Sequence, residues 1–106
     1  MVRMEVIIRV DMKIVSVFYI REARIEKTAP TPSAPFAVKT VDEERYEQMT
    51  SHIAKRFEDK DKERWLNNYE DAKKYAMILL EEFKEETLKA LRRENIDEKS
   101  IRIFYR

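Results

Sequence analysis

The stretch VDEERYEQMTSHIAKRFE, residues 41–58, decides how the rest of the chain is read. Thr40 and Glu43 stand at the spacing of a capping box, in which a hydroxyl and a carboxylate close the first turn of a helix. Behind them Tyr46, Met49, Ile53 and Phe57 recur at intervals of three, four and four, which on a helix makes one narrow apolar stripe. The spacing predicts a first helix over 41–58.

Downstream, Glu58-Asp59-Lys60-Asp61-Lys62-Glu63 holds no strong breaker, so one helix from 41 to 94 is chemically allowed, although a compact core argues for two. Asn67 and Asn68 each precede an acid by three residues (Glu70, Asp71), a start signal for a second helix over 68–94. Its core stripe is Tyr69, Ala72, Ala76, Leu79 and Phe83; Met77, Ile78, Leu80, Leu88 and Leu91 widen the apolar arc, so it meets more than one neighbour. Arg92-Arg93 suit its negative end and Asn95 its cap. A terminal strand over 100–105 alternates Ile101, Ile103 and Tyr105 with Arg102, Phe104 and Arg106.

Upstream the branched residues change. Positions 1–25 hold five Val and five Ile but no Leu, whereas all five leucines lie between Leu66 and Leu91, and χ1-restricted residues favour strands. Val2, Met4, Val6, Ile8 and Val10 alternate with Arg3, Glu5, Ile7 and Arg9 in a first strand over 1–10. A second, over 13–25, sets Ile14, Ser16, Phe18 and Ile20 against Val15, Val17, Tyr19 and Arg21, and the two form a hairpin. Residues 28–38 carry all three prolines early on and read as an extended connector. The expected fold is α+β in β-β-α-α-β order: a three-stranded, mainly antiparallel sheet with two helices on one face, in a single domain over 1–106.

Composition closes many function classes. The 106 residues contain no glycine, where an average chain carries roughly seven, so phosphate-cradling loops and nucleophile elbows have no backbone to build on. Without cysteine there is neither a disulfide framework nor a thiolate metal site. No apolar run approaches the roughly 18 residues of a membrane span, and a cytoplasmic protein is expected. Charged residues make up 41 %, rich in Lys and Glu, a composition like that of heat-adapted proteins. The net charge of +1 hides a division: residues 1–40 hold seven basic and four acidic side chains, residues 41–100 thirteen and seventeen, and Arg102 and Arg106 follow.

No catalytic site, cofactor or metal is expected, and the chain reads as non-enzymatic. His52, the single histidine, has Gln48, Met49, Lys55 and Arg56 as helical neighbours and no carboxylate to orient its ring. Ser16, Ser33, Ser51 and Ser100 have no nucleophile context. Glu58, Asp59, Asp61 and Glu63 would serve a metal-dependent nuclease, but Lys60 and Lys62 interleave them and no EF-hand register is complete, so a solvated charge run is the simpler reading. Trp65 reads as a core anchor, marking a second contact site if exposed.

The sheet face turned from the helices carries the functional reading. With Val2, Met4, Val6 and Ile8 facing the helices, that face takes Arg3, Ile7, Arg9, Val15, Val17, Tyr19, Arg21, Arg102, Phe104 and Arg106. Arg3, Arg9, Tyr19, Arg21, Arg102, Phe104 and Arg106 suit nucleic acid or another partner, through phosphate contacts and stacking. Ile7, Val15, Val17 and Tyr19 suit burial against a second copy, giving a homodimer. Arg24, Lys27, Arg92 and Arg93 add basic edges. The alternative is a protein-binding adaptor or inhibitor that uses the apolar face of the second helix. No membrane partner is expected.

Overall fold

The computed structural model describes residues 2–27 and 34–106. Five strands, β1 (Val2–Asp11), β2 (Val15–Lys27), β3 (Phe36–Gln48), β4 (His52–Leu66) and β5 (Ile101–Tyr105), form one antiparallel sheet in the order β4-β3-β2-β1-β5. The one α-helix among the described residues, α1 (Tyr69–Arg93), crosses one face, and a 3-10 turn, Glu98–Ser100, leads into β5. The expected three-stranded, two-helix arrangement is therefore wrong. Residues 41–58, expected as a helix, are the end of β3, the turn at Met49-Thr50 and the first half of β4. The connector predicted over 28–38 lies outside the described residues at 28–33 and is strand from Phe36 onward.

The physical reason is a shared spacing. Ile53 and Phe57 are four apart, an even number, so they share a face of a strand as readily as of a helix. Tyr46 and Ile53 are cross-strand partners around the turn, where Gln48 N–H donates to the Ser51 carbonyl at 2.9 Å. Thr40, read as a helix cap, lies inside β3 against Ala23, and its buried hydroxyl has no hydrogen-bond partner among the described residues.

Consecutive antiparallel pairing sends β4 and β5 in the same direction at opposite edges, so their connection has to cross the sheet, and α1 makes that crossing. Its first half packs with Val6, Ala23, Ile25 and Val38, bordered by Phe36 and Leu66; its last turns, through Leu91, meet Ile8, Val10 and Val17. The diagonal leaves Ile53 and Phe57 of β4 exposed at the far corner.

Both helix ends follow the local chemistry. At the start the Asn68 side chain accepts from Asp71 N–H at 2.9 Å. At the end Asn95 adopts φ 58°, the left-handed conformation that glycine fills in most chains. Its N–H donates to the Arg92 carbonyl and that of Ile96 to Leu91, both at 3.1 Å, while Ile96 packs beside Leu91. In a chain without glycine, asparagine is the residue that tolerates this cap best.

Candidate interaction surface

Register decides what the uncovered face displays. Asp11 pairs with Ser16 around a turn closed by Met12 N–H on the Val15 carbonyl at 2.9 Å, so Val10 pairs with Val17, Ile8 with Tyr19 and Val6 with Arg21. Even positions of β1 thus share a face with odd positions of β2, and the predicted facing of β2 is reversed. Val17 is buried beneath α1, Tyr19 packs beside it, and Val15 follows on the same side. Burial first, then Glu44 and Glu94, raises the Tyr19 phenol above its ordinary pKa.

Arg21 is 5 % exposed and bridges the layers. Its Nε and Nη2 donate to Asp42 at 2.6 and 2.9 Å, Nη2 lies 3.4 Å from Asp59, Nη1 donates to the Leu79 carbonyl at 3.2 Å, and the guanidinium sits 4.9 Å from the Phe83 ring centroid. Burial works most strongly against the charge, but the Asp42 hydrogen bonds together with the negative charges of Asp42, Asp59 and Glu86 outweigh it and hold the group more basic than usual. Tyr19 and Arg21, expected to touch a partner, and Val17 and Tyr19, expected at a dimer interface, are instead engaged with the chain's own core.

The residues that do share the open face form rows across the strands, about 4.8 Å from one strand to the next. One row runs Arg102, Arg9, Phe18 and Arg45; the next runs Phe104, Ile7, Ile20 and Glu43. Ile7 and Ile20 are buried although no helix covers them, because the surrounding long side chains fold over them. Phe104 remains 43 % exposed. Arg9 lies over Phe18, 5.6 Å from its centroid, and a shallow groove of about 190 Å³ runs between Phe18, Phe104, Arg45 and Arg106. Phe18, Ile20 and Arg45 were not among the expected site residues; alternation along β2 contained the first two, hidden by the unknown parity of the turn.

Charge on this face is unevenly paired. Toward its centre, buried Glu22 faces Arg3 at 3.7 Å, Arg56 at 3.5 Å and Arg24, which donates to it. Arg45 pairs with Glu43 and Arg9 with Asp11, each at 2.8 Å. At the β5 edge Arg102 and Arg106 form no ion pair among the described residues. The cations free to meet a ligand therefore flank Phe104, while Arg3 is drawn into the paired lattice.

Two other sequence expectations change. His52 begins β4, with Nδ1 3.7 Å from the Glu47 carboxylate across the turn, so an acid does face it. Trp65 is an exposed residue on β4 opposite Ala37, not a core anchor. Residues 60–63, from the acidic run, bulge out of β4 opposite Lys39, and Asp59 faces Arg21. No group of three or more His, Cys, Asp or Glu among the described residues is placed to hold a metal, and none of the described helices is long and apolar enough to cross a membrane.

No family model, curated protein or solved structure matches this chain.

Proposed function

We propose that the protein is a non-catalytic binding module whose open sheet face holds single-stranded nucleic acid, with Phe104 and Phe18 stacking bases and Arg102 and Arg106 facing phosphates. The observation that carries this reading is Phe104, an exposed ring on an uncovered sheet between two arginines that form no ion pair among the described residues, Arg102 feeling the Asp11 carboxylate only at a distance. An aromatic ring flanked by free guanidinium groups offers both elements of sequence-tolerant single-strand recognition. Ile7 and Ile20 supply the floor that keeps the rings upright.

The test is titration of a fluorescein-labelled oligonucleotide, single- and double-stranded, across a salt series. Binding to the single strand is expected to weaken linearly in log–log form, with a slope of about −0.7 for each phosphate neutralised. Absent binding, or affinity indifferent to salt, contradicts the proposal.

One observation favours a second reading. On the outer side of α1, Met77 and Ile78 are 54 % and 57 % exposed beside Glu81, Glu82, Glu85 and Glu86, a surface suited to a basic protein segment.

A further inference from the structure

The two edges of the sheet are built differently. β4 is bulged at 60–63 and carries Lys55, Lys60, Lys62 and Arg64, devices that discourage another strand from pairing. β5 is only five residues long and carries Arg102, but it is not bulged: it pairs with β1 in unbroken register, and it has no strand on its other side among the described residues. Ile103 and Tyr105 on it are 39 % and 56 % exposed, the Tyr105 hydroxyl donating to Glu81 at 2.9 Å, and a groove of about 230 Å³ lined by Leu88, Ile101, Ile103, Arg92 and Glu98 runs beside it.

Backbone direction fixes which groups this edge offers. Glu5 and Arg106 exchange N–H···O bonds of 2.8 and 3.0 Å, which makes them a hydrogen-bonded pair. By alternation Arg102 and Phe104 also turn their backbones toward β1, while Ile101, Ile103 and Tyr105 turn theirs outward. The Ile101 N–H is taken by the Glu98 carbonyl, leaving its carbonyl and both groups of Ile103 and Tyr105 on the open edge.

We infer that a second copy of this chain adds its own β5 antiparallel to this edge, with Ile103 on the twofold axis. In that register each copy donates Ile103 and Tyr105 N–H groups and accepts on Ile103 and Ile101 carbonyls. On the open face Arg102 lies opposite the second copy's Phe104, a cation over a ring; on the helix face Ile101 lies opposite the second copy's Tyr105. Centring the pair on Phe104 would instead set Arg102 against the second copy's Arg106, two like charges face to face. Side-chain complementarity thus selects one register. The seam also joins the two Phe104 surfaces into one continuous platform, a consequence that rests on the proposed function, whereas the dimer itself does not.

Sedimentation equilibrium of the full chain tests this, with circular dichroism to verify folding. The wild type is expected to dimerise, and Ile103→Lys, which sets two ammonium groups against each other at the axis, to weaken dimerisation by about tenfold or more. Ile103→Pro is the second variant: the N–H it removes is not part of the β1 ladder, so the monomer keeps its fold while the edge loses a donor. A wild type that stays monomeric up to about 1 mM, or folded variants that dimerise like it, overturns the inference. A monomeric wild type that still binds oligonucleotide overturns the dimer and spares the binding face. A dimer broken by Ile103→Lys that binds no oligonucleotide supports the seam and overturns only the proposed function.

Discussion

Arg21→Met is expected to lower the unfolding free energy by about 3 kcal/mol, read as a shift of the urea midpoint with unchanged slope. Methionine keeps much of the stem's packing, so the loss isolates the guanidinium. Without it the Asp42 and Asp59 carboxylates face one another and the Leu79 carbonyl loses its donor. Breaking a buried ion pair costs about 3–5 kcal/mol, and the lower end applies because the two carboxylates keep 26 % and 22 % of their side-chain surface in water. Adding Asp42→Asn to Arg21→Met should recover part of the loss, since one uncompensated charge is then gone. A loss under about 1 kcal/mol would mean that α1 is held by its apolar stripe alone.

Phe104→Ala is expected to weaken single-strand binding by about 1–3 kcal/mol, roughly 5- to 150-fold, without changing the salt slope, because stacking carries no counterion release. Arg102→Ala should do the reverse: a smaller loss of affinity and a slope shallower by about 0.7. Fluorescence anisotropy at several salt concentrations separates the two terms. Met77→Ala, on the opposite face, should change neither. Equal effects from Phe104→Ala and Met77→Ala would remove the stacking role.

Much of this arrangement was legible in the residues. The Val and Ile alternation of β1, the Asn68 start and Asn95 end of α1, and the alternation of β5 all depend on local chemistry that no distant contact overrides. The β3–β4 hairpin was not legible, because its turn contains neither glycine nor proline and its apolar spacings of four satisfy helix and strand alike. The facing of β2 was hidden for a different reason: one residue more or less between Asp11 and Ser16 inverts every side chain, and sequence alternation alone cannot count a turn. That inversion buried Arg21 and Tyr19 and brought Phe18 and Ile20 to the open face. Arg102, Phe104 and Arg106 escaped the ambiguity, because β5 reaches the sheet by a separate connection and pairs directly with β1.

Amide chemical-shift mapping of isotope-labelled protein during titration with a single-stranded oligonucleotide locates the binding surface residue by residue. The account predicts that the largest changes fall on Ile7, Arg9, Phe18, Arg102 and Phe104. Changes confined to the outer side of α1 around Met77 and Ile78, with those five amides unmoved, would contradict it.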